Sequence, residues 1–243
     1  MKQFENKVVI VTGAGTGIGR AAATDFVKAG ARVAFVGRRP EKLQEAAAGL
    51  PEAQTLLCPC DVADREAVNA VGEQVTAKFG PVDILVNNAG LNTNPRAVAE
   101  VAPADWDLTI AVNLTGAFNF VRAVLPGMRE KRDGVIINVA SIAGLRASKV
   151  SGAAYSAAKH GLVALNHTIN EEEAAYGIRA CVICPGEVET PILDLRPTPI
   201  SPEHRARILQ PQDVSAAILF VAGLPPRACV PELIIKPTVQ IFR

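Results

Sequence analysis

The sequence predicts an α/β fold, a doubly wound parallel sheet in a three-layer sandwich with helices on both faces. Three observations carry that expectation. Short β-branched runs alternate with amphipathic, Ala-rich stretches along the chain. The runs are continuously apolar, the pattern of strands buried on both faces. The glycines and polar groups that interrupt the rhythm follow the strands, at the edge where open parallel sheets bind ligands.

Taken in order, the first strand, Lys7–Thr12, gives way at Gly13 to a helical pattern near 17–29. The second, Arg32–Val36, ends at Gly37-Arg38 before a helix near 40–49. The third, Ala53–Cys58, reaches Asp61 before a helix near 63–79. The fourth, Val82–Val86, runs into Asn87-Asn88-Ala89-Gly90, and a long helix follows near 104–130. The fifth, Gly134–Ala140, meets Ser141 ahead of a helix near 154–176. The sixth, Arg179–Cys184, ends at Pro185-Gly186; a helix near 212–223 and a last strand, Glu232–Ile235, complete the pattern. Two segments break the rhythm, Leu91–Pro103 and the proline-rich 191–211. Long irregular connections in compact domains tend to be functional, which makes 191–211 the expected substrate loop.

The 243 residues are 49% apolar and 20% charged, with 25 bases against 24 acids. A chain of this size can bury a substantial core, and residues 1–243 read as one domain. A net charge of +1 gives no reason to expect nucleic acid or an anionic membrane. No apolar run approaches the roughly 18 residues of a membrane span, and the start is too short in apolar residues for a signal peptide, so the expected location is cytoplasmic. Five cysteines make a disulfide framework improbable. Cys181 and Cys184 have redox or zinc spacing, but they lie on a strand, where positions three apart point to opposite faces, and no second pair completes a metal site.

Thr12-Gly13-Ala14-Gly15-Thr16-Gly17-Ile18-Gly19 sits between a strand and a helix. Glycines there allow a tight turn and close approach of a pyrophosphate to the positive end of the helix. Arg20 and Ala21 follow where a P-loop needs Lys and Ser or Thr. The second strand ends without the acid that usually bonds the adenine ribose, and Arg38 with Arg39 stands there instead. A guanidinium pairs with a 2′-phosphate, which favours NADP(H) over NAD(H); the plainer reading makes both arginines solvated charges. Tyr155 and Lys159, four apart on a helix, share one face, and an ammonium beside a phenol pulls its pKa down from about 10. Ser141 stands ready to bond a substrate oxygen.

These residues resemble the short-chain dehydrogenase/reductase family over roughly residues 5–237. The matching motifs are Thr-Gly-x-x-x-Gly-x-Gly at Thr12–Gly19, Asn-Asn-Ala-Gly at Asn87–Gly90, Ser141, Tyr-x-x-x-Lys at Tyr155–Lys159 and Pro-Gly-x-Val-x-Thr at Pro185–Thr190. The resemblance implies a Rossmann-type sheet of seven strands and hydride transfer between NAD(P) and an alcohol or carbonyl compound. It implies a catalytic set of Asn113, Ser141, Tyr155 and Lys159, with Asn113 supporting a water in a proton relay. Its implied cofactor contacts are Gly13, Thr16, Gly17, Ile18, Gly19, Arg38, Arg39, Asp61, Val62, Asn88, Ala89, Gly90, Tyr155, Lys159, Pro185, Gly186, Val188 and Thr190. A homodimer or homotetramer built on the two long helices is implied as well. Thr16 departs from the basic residue that many NADP-dependent members carry there, which leaves the 2′-phosphate to Arg38. The tail Pro231–Thr238 is similar to a branch holding hydroxy-acid and amino-alcohol dehydrogenases.

Other residues have plainer readings. Asp61 fits adenine contact or a helix cap. His160, His167 and His204 have no ligand spacing, Glu171–Glu173 reads as a solvated face with one ion pair, and Trp106 as core or interface. Ile142–Gly152, Glu187, Ile192, Leu193, Leu195 and Ile200 are the expected substrate walls. Arg146 or Arg196 could pair a substrate carboxylate or be surface charge. Two rivals share the fold: a cofactor sensor or scaffold, which predicts a broken Ser–Tyr–Lys set, and a dehydratase or epimerase without net redox.

Overall fold

The computed structural model describes residues 2–196 and 199–240. Pro197 and Thr198, inside the expected substrate loop, lie outside the described residues, as do Met1 and 241–243. Seven strands form one sheet: β1 Val8–Thr12, β2 Arg32–Gly37, β3 Thr55–Pro59, β4 Ile84–Asn87, β5 Gly134–Val139, β6 Ile178–Pro185 and β7 Glu232–Ile235. Their order is β3-β2-β1-β4-β5-β6-β7, and every pairing is parallel. The direction of winding reverses between β1 and β4, the switch point at which such sheets open a ligand crevice.

Alternation along the strands divides the core. Val9 and Val11 of β1 join Phe26, Val214 and Ile218 on the face covered by α1 (Gly17–Lys28), α2 (Pro40–Ala47) and α8 (Pro211–Ala222). Val8 and Ile10 face the opposite way, toward Val68, Val75, Phe120 and Met128 of α3 (Arg65–Phe79) and α5 (Gly116–Lys131). The helix α6 (Ala153–Glu173) closes that second face through Leu162 over β5 and β6. Cys181 and Cys184 fall in different clusters, as the strand period requires.

Several boundaries differ from the sequence pattern for local reasons. Helix α3 starts at Arg65 because Asp64 caps it, accepting from Glu66 N at 3.0 Å and Ala67 N at 3.1 Å. Asp61 instead accepts from Ala63 N at 3.0 Å, one turn earlier. The expected helix near 104–130 is α4 (Pro103–Ile110), a π-helical turn at Ala111–Thr115 and then α5. Its 29 residues are long and apolar enough to cross a membrane by length and composition, but the inner face packs against α3, α6 and the sheet. The stretch 191–211 holds a 3-10 turn at Pro191–Leu195 and a short helix, α7 (Pro202–Arg205). Within Glu171–Glu173, the last residue is buried and paired with Arg129 at 2.5 Å.

A chain of buried asparagines ties the second half of the sheet to α6. Asn87 Nδ2 donates to Asn138 Oδ1 at 3.0 Å, and Asn138 Nδ2 donates to Asn166 Oδ1 at 3.0 Å. Asn166 Nδ2 then donates to the Pro231 carbonyl at 2.9 Å, just before β7. Replacing the middle member strands a donor on one side and an acceptor on the other. Asn138→Val should therefore cost about 2–5 kcal/mol, seen as a fall in Tm of roughly 5–15 °C in calorimetry. A loss below about 1 kcal/mol would mean that the chain contributes little beyond packing.

Candidate active site

Two cavities meet at the carboxyl edge of the sheet. The first, about 360 Å³, runs from the Gly13–Ile18 turn past Arg38, Arg39, Asp61 and Val62 to Asn88, Ala89, Gly90, Tyr155, Lys159 and Thr190. The second, about 400 Å³, is lined by Ser141, Tyr155, Pro185, Gly186, Val188 and the loop residues Ile192, Leu193 and Arg196. Tyr155 and Thr190 belong to both. The structure thus divides the expected cofactor contacts. Most lie in the first cavity, while Pro185, Gly186 and Val188 face the second.

The first cavity exists because the chain makes room for it. Gly13 has φ +67, and a side chain there would meet Asn88 Nδ2 at 2.8 Å. Gly19 lies beneath the turn, where a side chain would run into the Gly13 carbonyl and the Asn88 amide. The ends of β1 and β4 are joined through Thr12, whose Oγ1 accepts from Asn88 N and Ala89 N, both at 2.9 Å. Asn88 Nδ2 returns a bond to the Thr12 carbonyl at 3.0 Å. Such a turn, opening onto the N-terminus of α1, suits a pyrophosphate. At the far end Arg38 and Arg39 are exposed and Lys42 joins them in the lining. Lys42, which is paired with Glu45 at 2.7 Å, is absent from the sequence-derived set; its place one turn into α2, behind the two arginines, was the available signal.

The catalytic candidates meet where the cavities join. The 3-10 turn Ile142–Gly144 packs so closely on α6 that a side chain at Gly144 would meet the Lys159 carbonyl at 2.7 Å, which sets Ser141 beside Tyr155. Lys159 is buried and donates to the Val139 carbonyl at 2.9 Å, with Nζ 5.6 Å from the centre of the Tyr155 ring. Asn113 lines neither cavity. It sits in the π turn, 1% exposed, with its amide bonding both the N–H and the carbonyl of Leu91 at 2.8 Å. Such π turns often mark functional sites in helices. A side chain at Gly90 would meet Asn113 Oδ1 at 3.0 Å and Lys159 Nζ at 3.6 Å, so the glycine lets both groups reach one spot.

Electrostatics depart from the sequence expectation. Burial pushes the Tyr155 phenol above its ordinary value, while the Ser141 hydroxyl and the charge of Arg96 act to lower it. Lys159 is not among the groups that lower it; burial pulls its ammonium down to about 8. Desolvation therefore outweighs the pairing that the four-residue spacing suggests. Arg96 is a second residue that sequence reading missed. It lies in the irregular segment after β4, is buried, and lines the second cavity.

Ion pairs tie down the expected substrate loop. Arg196 donates to Glu187 at 2.8 Å, His204 contacts the same carboxylate at 2.5 Å, and Arg205 joins Glu189 at 2.7 Å and Asp194. Burial alone would raise the Glu187 carboxyl, yet His204 and Arg196 hold it below its ordinary value. Of the other histidines, His160 bonds the Ser156 carbonyl of its own helix and His167 lies 3.7 Å from Glu232.

The short chain dehydrogenase family model matches residues 7–198, and the chain belongs to that family. An uncharacterised oxidoreductase of Staphylococcus aureus is 35% identical over 237 residues, covering 98% of this chain and all of the relative. A levodione reductase of Leifsonia aquatica is 35% identical over 207 residues, 83% of this chain and 77% of that one. Among solved structures, the closed form of a serine dehydrogenase complexed with NADP+ superposes with a TM-score of 0.88 at 31% identity, over 97% of this chain and 96% of the other. The protein is an oxidoreductase of the short-chain dehydrogenase type.

With only two tyrosines in the sequence, Tyr155 can be titrated by difference. In cofactor-free protein, phenolate absorbance of wild type minus Tyr155→Phe should stay flat up to the ordinary phenol value of about pH 10. A Tyr155 midpoint near or below pH 9 would overturn the burial argument.

Proposed function

We propose that the protein is an NADP(H)-dependent oxidoreductase that interconverts a small-molecule alcohol and its carbonyl compound, with Tyr155 as general acid/base. The observation that carries this reading is the convergence of Ser141, Tyr155 and Lys159 at the junction of a dinucleotide-shaped cleft and a second cavity. The cofactor, when bound, supplies or accepts the hydride. The Gly13–Gly19 turn would hold its pyrophosphate, and Asp61 and Val62 would line the adenine end.

In reduction the Tyr155 hydroxyl would give its proton to the carbonyl oxygen; in oxidation the phenolate would take one from the alcohol. Ser141 would orient that oxygen. Lys159 would hold the nicotinamide ribose and favour phenolate once the cleft is filled, and Asn113 would brace the Leu91 main chain beside a proton relay. An intact Ser–Tyr–Lys set argues against a sensor or scaffold. Support for NADP(H) comes from Arg38, Arg39 and Lys42 near the end of β2 and from the NADP+ bound by the serine dehydrogenase. Exposed Trp106, Leu108 and Phe118 on α4 and α5 suit assembly with further copies of the chain.

NADPH should be preferred over NADH, and Arg38→Ala should cut that preference by roughly 10–100-fold, since a charge-assisted hydrogen bond contributes about 1.5–3 kcal/mol. Equal use of both cofactors by wild type would sink the assignment. Tyr155→Phe should lower turnover by about 10²–10⁴ with cofactor affinity kept in a fluorescence titration. A fully active Tyr155→Phe would overturn the mechanism.

A further inference from the structure

The cavity beside Tyr155 carries more positive charge than proton transfer requires. Its described lining includes Arg96, Arg146 and Arg196 but a single carboxylate, Glu187. That carboxylate is engaged by Arg196 and His204. Arg96 differs from Arg196. It is 8% exposed, and the groups that fix it are main-chain carbonyls: Nε donates to Thr93 at 3.1 Å, Nη1 to Val150 at 2.7 Å and Nη2 to Leu195 at 2.7 Å. No carboxylate among the described residues pairs with it.

Carbonyl dipoles satisfy N–H groups without cancelling a charge, and a buried cation lacking a counter-ion is costly to maintain. Burial and the nearby Arg196 both pull Arg96 below its ordinary value, though a guanidinium stays charged at working pH. Its three bonds reach three walls of the cavity: the loop after β4, the loop before α6 and the turn after β6. The charge is therefore fixed in position before any ligand arrives. After those bonds, one N–H on each terminal nitrogen remains, and paired donors of this kind suit a carboxylate. Ser141 and Tyr155 line the same cavity, so one molecule can present an oxygen to them and an anion to Arg96.

We propose that the substrate is an alcohol or carbonyl compound bearing a carboxylate, bound against Arg96 while its reacting oxygen meets Ser141 and Tyr155. This rests on the oxidoreductase reading and names the substrate class for the same site. Arg96 is then the residue that sets specificity, whereas the charge of Arg196 is spent on Glu187.

The test compares short keto acids with their methyl esters, using NADPH and the wild-type enzyme. An acid should exceed its ester by roughly 10–100-fold in kcat/KM, mainly through KM. Arg96→Gln should erase the difference, and Arg96→Lys, which keeps a cation, should retain part of it. Melting curves of the cofactor-saturated protein give a second readout that needs neither turnover nor a variant: the acid should raise Tm and the ester should not. Esters and acids reduced equally well would overturn the inference and leave the oxidoreductase reading standing. Acid-specific stabilisation without any reduction would support the anion site and count against that reading. An acid preference that survives Arg96→Gln but vanishes in Arg196→Gln would overturn the assignment, as would acids that neither react nor stabilise more than their esters.

Discussion

The site depends on the join between the ends of β1 and β4. A parallel sheet that reverses its winding there leaves two strand ends diverging, with their last N–H groups unpaired. The Thr12 hydroxyl accepts two of those N–H groups, and the Asn88 amide closes the loop back to Thr12. Because that amide fills the space under Gly13 and Gly19, the glycine turn is pressed into its tight form. The glycine turn and the join between β1 and β4 are thus packed as one structure.

A second constraint orders the candidate catalytic groups. The π turn departs from regular helix at Asn113, where the side chain must reach sideways to Leu91 rather than along its own helix. Gly90 lies between that amide and Lys159, and Lys159 is anchored in turn on the end of β5. The ends of β4 and β5, the π turn and α6 therefore converge on one volume of a few ångströms. Desolvation there acts on both titrating groups, raising the phenol and lowering the ammonium, so burial disfavours the charged form of each.

Much of this was legible in the chain. Seven continuous apolar runs gave the sheet, and the residues following them gave its working edge, because a parallel sheet puts all carboxyl ends on one side. Tyr155 and Lys159 were legible through helical spacing. Arg96 was not, since its meaning comes from Val150 and Leu195, 54 and 99 residues away in sequence, and no local pattern encodes a carbonyl partner at that distance. The pKa direction of Tyr155 is not legible for the same reason: spacing reports the neighbour on the helix, whereas burial is a property of the assembled cavity. Asp64 rather than Asp61 caps α3 because both acids fit the local signal and only the path of the chain separates them.

The buried asparagine chain also bears on how the molecule breathes. Loops and helix ends open locally when few buried bonds hold them, and they exchange their amide hydrogens first. Helix α6 is held differently: through Asn166 it is bonded to Asn138 near the carboxyl end of β5 and to the strap before β7. Lifting it exposes polar groups that have lost their partners on three elements at once. Opening α6 therefore breaks buried bonds to the central sheet, whereas the ion pairs of Arg196, His204 and Arg205 are nearer the surface and part without disturbing that sheet.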